Sequence, residues 1–307
     1  MESNPQKSMN DTTAAGRSVR ARLHRFGRRL KRALLFSSAY LAVIAVAEVL
    51  IVTELLSLPL TPAPVVAGLL TFAVYGSDRV ADIEADEATR PARTAFVRRY
   101  HGLLYSLSAL AYGLAVALAV LGGPSAFALA LVPGVVWVCY AKDWIVFTSG
   151  IKRLKQVFVL NSVLVAGAWA LVMVFLPLAF ADAAITPAVG VVFLFFFFGS
   201  FIRAEIPNVR DRIGDRKIGV KTLPVMYGVS GTRYALYVVS SLIGAVLVAG
   251  FIDNLITVPE TVALAGSLSF LTLIAACLGR TSRVGALTIA AECSRLPILA
   301  LMLVPLR

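Results

Sequence analysis

Nine long apolar stretches recur along the 307 residues of this chain, and little but membrane-spanning helix is open to a sequence built that way. A helix crossing the hydrocarbon of a bilayer needs about 20 predominantly apolar residues. The candidate spans are 33–56, 64–81, 100–121, 125–141, 156–179, 186–204, 232–252, 259–278 and 284–305. Helix punctuation separates several of them, as at Pro59, Pro62 and Pro64, at Gly122-Gly123-Pro124 and at Pro187. Composition agrees: 59% of residues are apolar and 15% charged, against about 45–50% and about 25% in a soluble globular domain. That excludes a disordered chain, a fibrous repeat and an ordinary cytosolic enzyme. The expected fold class is all-α, a polytopic bundle of nine transmembrane helices. Cys139, Cys277 and Cys293 all lie in apolar runs, so they read as small core hydrophobes and imply no disulfide framework.

The net charge of +12 raises nucleic acid as a partner, but its distribution points elsewhere. Lys and Arg fall in blocks of nine (to Arg32), five (78–99), four (142–155), seven (203–233) and two (279–283), leaving only Arg295 and Arg307 outside them. The connections near 57–63, 122–124, 180–185 and 253–258 hold none. With nine spans, all five blocks share one side, and the positive-inside rule makes that side the cytoplasm. The N-terminus is then inside, the C-terminus outside, and the protein sits in the cell membrane. Residues 1–32 read as a basic cytoplasmic tail attracted to anionic lipid headgroups, with no signal-peptide pattern and no nucleic-acid role. Residues 33–307 read as a single transmembrane domain.

Carboxylates cluster where the spans meet this basic side. Asp78, Asp82 and Asp86 follow the second span at i, i+4 and i+8, which on one helix would climb a single face. Like charges so spaced repel, so cationic partners are expected. The pattern returns after the sixth span, where Asp211-Arg-Ile-Gly-Asp215 matches Asp78-Arg-Val-Ala-Asp82 by identity or conservative exchange. The two copies read as an internal pseudo-repeat, each half presenting an acidic row. Oxygen donors without His or Cys favour hard cations, and Mg²⁺ commonly takes one or two carboxylates together with phosphate oxygens. Two facing rows would suit two or more Mg²⁺ ions on a diphosphate. Direct cations would still be required for charge balance, and Lys152, Arg153, Arg216, Lys217 and Lys221 are the candidates.

These residues resemble the UbiA superfamily of intramembrane prenyltransferases, whose two motifs are written NDxxDxxxD and DxxxD. The run from Asn208 through Asp211, Asp215 and Lys221 to Gly228 is very similar to the second-motif loop, and Ile151-Lys152-Arg153, with Asn161 following, is similar to the diphosphate-contacting loop. The first motif departs: Asp78 stands where Asn is usual and Arg79 where the second Asp is usual. The resemblance implies a nine-helix bundle and Mg²⁺-dependent transfer of a polyprenyl group from an allylic diphosphate to a lipophilic acceptor, through an allylic cation in a water-poor chamber. It implies metal binding by Asp78, Asp82, Asp86, Asp211 and Asp215. Diphosphate binding would fall to Lys152 and Arg153 with Arg216, Lys217 and Lys221, and Asn208 would orient a metal ligand or water.

Within the spans, Glu48 must be neutral, paired or turned to the chamber. Acceptor contact, proton transfer and a structural hydrogen bond all remain open for it. Glu292 and Arg295 are spaced to pair with each other, Glu205 is either a supporting or an interfacial residue, and Phe195–Phe198 either line a tunnel or pack. The signature of CDP-alcohol phosphotransferases is absent from both rows. A transporter with a carboxylate-lined pathway is the alternative, although such sites tend to lie at the bilayer midplane. A phosphatase fused after Arg307 is expected to be active and a fluorescent protein there dark; the reverse would overturn the topology.

Overall fold

A bilayer core offers no water to unsatisfied backbone groups, so apolar stretches of this kind close their hydrogen bonds internally as helices. The computed structural model describes residues 24, 26–87, 90–141, 158–217 and 219–302, and among them no strand occurs. In chain order the helices are α1 (Phe26–Phe36), α2 (Ala39–Leu55), α3 (Ala63–Ala81), α4 (Ile83–Asp86), α5 (Pro91–Ala119) and α6 (Gly123–Ala141). They are followed by α7 (Leu160–Phe180), α8 (Pro187–Lys217), α9 (Leu223–Ile252), α10 (Val258–Ala276), α11 (Val284–Glu292) and α12 (Leu296–Met302).

Local chemistry sets the starts. Proline occupies the first turn of α3, α5, α9 and α10, where its missing N–H loses no helical bond. A capping box begins α10, with the Thr257 amide donating to Glu260 Oε2 at 2.6 Å. The Val120–Gly122 turn separates α5 from α6, and Gly123, at φ 81°, adopts the left-handed region that its lack of Cβ permits.

All nine stretches carry helix, but some differ from the simple spans expected. The first is broken: α1 and α2 meet at 71°. Ser37 Oγ donates to Ala33 O at 2.7 Å and Ser38 sits at φ 64°, with Arg79 Nε donating to its hydroxyl at 2.9 Å. Serine side chains here compete with the helical ladder. The last stretch is split into α11, a 3₁₀ turn at Cys293–Arg295, and α12. Among the described residues, five helical stretches are long and apolar enough to cross a membrane, or six if the bent α1–α2 pair is one span. In α3 the last turns carry Asp78 and Arg79, which lowers its mean hydropathy. The cysteines are not core residues: Cys139 and Cys277 are exposed on the outside of the bundle and Cys293 is half-buried.

The bundle closes on itself. α2 packs on α3 and α7, α3 on α5, α7 on α6 and α8, and α8 on α9 and α11, while α12 joins α2 to α10. Val49, Ile51, Leu70, Phe196, Ile202 and Leu264 lie in the shared core with almost no exposed surface. Large apolar side chains such as Leu103, Leu121 and Ile252 cover the outside, the surface a bilayer would solvate. Small residues bring the axes together. A Cβ at Gly68 would meet Val46 Cγ2 at 2.7 Å and Ala42 O at 3.4 Å. Gly68→Leu is therefore expected to lower stability by about 1–3 kcal/mol through overpacking, read as a reduced thermal midpoint in detergent.

Candidate active site

Between α2, α3, α6, α7 and α8 lies a chamber of about 240 Å³. Leu41, Ile44, Val165, Met173, Trp137 and Trp169 give it apolar and aromatic walls, and the Tyr75 and Trp169 rings stack at 5.6 Å with 9° between planes. Its polar lining comes from Glu48, Asp78, Asn161, Ser162, Arg203 and Glu292. A second cavity of about 400 Å³ adjoins it, sharing Leu41, Tyr75 and Glu292, and is rich in guanidinium groups from Arg79, Arg90, Arg93 and Arg210.

One ionic cluster holds the chamber wall. Glu48 of α2 is 3% exposed and accepts from Arg203 Nη1 at 2.5 Å and Arg295 Nη1 at 3.1 Å. Arg203 Nη1 also lies 3.5 Å from Glu292 Oε2. Arg295 is shut behind the chamber, its guanidinium 4.1 Å from the Phe196 ring centroid and donating to Phe196 O at 2.8 Å. Gly199 makes the space, since a Cβ there would meet Arg295 Nη2 at 2.7 Å. The expected Glu292–Arg295 pair is thus replaced by Glu292–Arg203 and Glu48–Arg295, because the 3₁₀ turn at Cys293–Arg295 carries the arginine toward α2. Phe195 and Phe196 pack in the core against this guanidinium and do not line the chamber.

A second buried carboxylate ties α7 to α8. Glu205 has no exposed surface, with Ser162 Oγ donating at 2.5 Å and Asn208 Nδ2 at 3.2 Å. The amide of Asn208 is therefore engaged with Glu205, not with an aspartate of the second row.

The acidic rows differ in form. α3 stops at Ala81, Asp82 leaves helical geometry at φ −98° and ψ 18°, and Asp86 closes the separate four-residue α4. The three-carboxylate face expected on one helix is interrupted: Asp82 N still donates to Asp78 O at 2.9 Å, which keeps those two residues one turn apart, but Asp86 falls on a separate helix. Asp211 and Asp215 do share a helix, one turn apart on α8. Asp78 lines the chamber and pairs with Arg79 at 3.4 Å. Both Asp211 oxygens hold guanidinium groups: Oδ2 is 2.7 Å from Arg90 Nη2, and Arg210 donates to Oδ1 at 2.9 Å and to Oδ2 at 3.0 Å. Arg90 follows the first acidic stretch, so its bond to Asp211 joins the two motif ends. Among the described residues no three His, Cys, Asp or Glu side chains are gathered as a metal-holding group. Arg216 and Lys217 end α8 exposed, Arg216 donating to Val225 O at 3.1 Å, and the Lys221 side chain is also exposed. Lys152 and Arg153 lie outside the described residues, as does most of the basic tail.

The model of the UbiA prenyltransferase family matches residues 35–296. The chain belongs to that family. Its fold is similar to that of a UbiA homologue from Archaeoglobus fulgidus bound to GPP and Mg²⁺, with a TM-score of 0.63 at 14% identity, covering 89% of this chain and 100% of that one. A UbiA homologue from Aeropyrum pernix K1 has a TM-score of 0.63 at 18% identity, over 88% and 97%. A digeranylgeranylglyceryl phosphate synthase has a TM-score of 0.58 at 16% identity, over 90% and 97%. No curated protein matches the sequence. With its long apolar helices, this UbiA-family chain is an integral membrane protein.

Two residues of the site escape a reading of the sequence. Arg203 counts there as a loop charge, yet it is 8% exposed and lines the chamber. Its position one turn after Ser200, inside an apolar run, is the local signal. Arg90 also counts as a loop charge, and its bond across 121 residues to Asp211 has no local signature. Removing one partner of a buried ion pair leaves uncompensated charge and costs about 3–5 kcal/mol. Glu48→Ala is accordingly expected to lower stability by that order in thermal unfolding, and Glu48→Gln by less.

Proposed function

We propose that this protein is a Mg²⁺-dependent prenyltransferase that moves a polyprenyl group from an allylic diphosphate to a lipophilic acceptor in the chamber. The observation carrying this reading is the joining of the two acidic regions by Arg90 and Asp211, next to a chamber with apolar and aromatic walls that Asp78 lines. Family membership and the GPP- and DMAPP-bound homologue structures support it. In this reading nine spans cross the cell membrane, with the N-terminus and the site on the cytoplasmic side and the C-terminus outside. The spans form one domain of two pseudo-repeated halves, each ending an apolar helix in an acidic row.

The donor set suits Mg²⁺ in its chemistry. The aspartates supply oxygen alone, and an ion completed by diphosphate oxygens needs only one or two of them. Asp78, Asp82, Asp86, Asp211 and Asp215 would hold it, and bound there it would neutralise charge on the diphosphate leaving group. Lys152, Arg153, Arg216, Lys217 and Lys221 supply direct cations to the diphosphate. The guanidinium groups of Arg90 and Arg210 hold Asp211 in place, and Asn208 acts by positioning Glu205. Trp137, Trp169 and Met173 exclude water, so that the allylic cation left after ionisation meets the acceptor before it is hydrolysed. Glu48, clamped by two arginines, orients the wall and accepts no proton in this scheme; turnover by Glu48→Gln at the parental rate is what the scheme expects.

The test uses membranes containing the protein, radiolabelled farnesyl and geranylgeranyl diphosphates, and pooled lipophilic acceptors, with and without Mg²⁺. A Mg²⁺-dependent prenylated product is expected, and it is expected to vanish in Asp211→Ala/Asp215→Ala while membrane insertion persists. Product formation by that variant would reject the site. Flux of a divalent ion without turnover would replace the reading with transport.

A further inference from the structure

We infer that α1 is not the start of the first span but a helix seated in the surface of one leaflet, where it binds anionic lipid headgroups. From Phe26 to Phe36 its sequence sorts apolar and basic residues onto opposite sides and holds no acidic residue. At about 100° per residue, Phe26, Leu30 and Leu34 fall within an arc of about 80°. Arg28, Arg29, Lys31 and Arg32 fall within an arc of about 160° centred opposite to it. Both sides stand clear of the bundle: Phe26, Leu30 and Leu34 are 66%, 49% and 40% exposed, and all four cations are exposed. A Cβ on Gly27 would meet nothing within 4 Å. A helix divided in this way lies along a bilayer surface, its apolar side sunk at the boundary of headgroups and acyl chains. Its Lys and Arg then rest on anionic headgroups.

The direction of α1 fits this seat. Spans tilt by about 20° on average, so a helix at 71° to α2 runs nearer to the bilayer plane than to its normal. α2 alone has 17 residues, within the about 17–25 that a span needs. The elbow between the two helices is held from both sides. Ser38 is 1% exposed, and its hydroxyl accepts from Arg79 Nε at 2.9 Å. Phe36 packs edge-on against Phe96 of α5 with ring centroids 5.7 Å apart. The same elbow supplies Leu35, Phe36 and Tyr40 to the wall of the guanidinium-rich cavity, which Arg79 also lines. Seating α1 on lipid therefore steadies that wall through Ser38 and Arg79. The basic tail thus ends, where it joins the bundle, in a helix with a defined binding face.

The test uses the full chain in nanodiscs of phosphatidylcholine alone, or of equal parts phosphatidylcholine and phosphatidylglycerol. Spin labels are placed by Leu30→Cys or Lys31→Cys, in a chain that also carries Cys139→Ala, Cys277→Ala and Cys293→Ala, and their access to oxygen and to a chelated nickel ion is measured. In the anionic bilayer the oxygen-to-nickel ratio at position 30 is expected to exceed that at position 31 by at least about threefold. Phosphatidylglycerol is expected to deepen the label at position 30. Arg28→Gln/Arg29→Gln/Arg32→Gln is expected to abolish that gain, and added salt to reduce it. Ser38→Ala, which takes away the acceptor of Arg79, is expected to increase the mobility of both labels. Equal ratios at the two positions in the anionic bilayer overturn the inference, and so does the same depth in both bilayers. Unchanged mobility in Ser38→Ala would overturn the part given to the elbow. A label at position 30 that stays in water, together with capture of a labelled oligonucleotide by the phosphatidylcholine nanodiscs, would assign the basic side to nucleic acid instead. Each readout is independent of prenyl transfer.

Discussion

A carboxylate buried among membrane helices is tolerable only when its charge is met, and the Glu48 carboxylate is met twice. Arg203 from α8 and Arg295 from the turn before α12 converge on it, and Glu292 at the end of α11 takes the remaining reach of Arg203. Three widely separated parts of the chain are thereby brought to one place: α2, α8 and the run from Glu292 to Arg295. Apolar packing alone discriminates weakly between helix registers in a bilayer, because lipid tails are as apolar as the side chains. A closed set of charges discriminates strongly, since any slip strands an ion in a medium that cannot solvate it. The chamber inherits its shape from this cluster: Arg203, Glu48 and Glu292 are its polar wall.

The acidic regions follow a different logic. They lie at the ends of α3 and α8, beyond most of the apolar run, and arginines rather than packing hold them. Asp211 is clasped by Arg90 and Arg210, Asp78 by Arg79. Such guanidinium clasps keep carboxylates ordered and desolvated in part, and they concentrate cationic groups beside a site suited to a diphosphate. The first acidic region departs from the family pattern at Asp78 and Arg79, and it is also the one whose helix breaks, at Asp82. The second keeps the pattern and stays helical through Asp215.

Much of the fold was legible in the sequence because membrane helices are written in one dimension. Apolar runs, prolines and glycines located helices in all nine stretches, and the two acidic repeats marked the ends of α3 and α8. The misreadings share a cause. Arg203 looks like a loop charge, the serines at 37–38 look like part of a span, and Glu292 looks paired with Arg295, because in each case the deciding partner is far away in the chain. Arg203 bonds across 155 residues to Glu48, and Arg295 across 247.

By itself, then, the sequence determined an all-helical, membrane-embedded chain with acidic motifs and basic blocks, since hydropathy, punctuation and i, i+4 spacing are properties of neighbouring residues. Only the tertiary structure decided which charges meet, where helices bend or break, and which polar atoms are left facing the chamber. Those outcomes depend on solvation: an ion or hydrogen-bonding group is placed by its need for a partner, and partners are brought together only when the whole bundle closes.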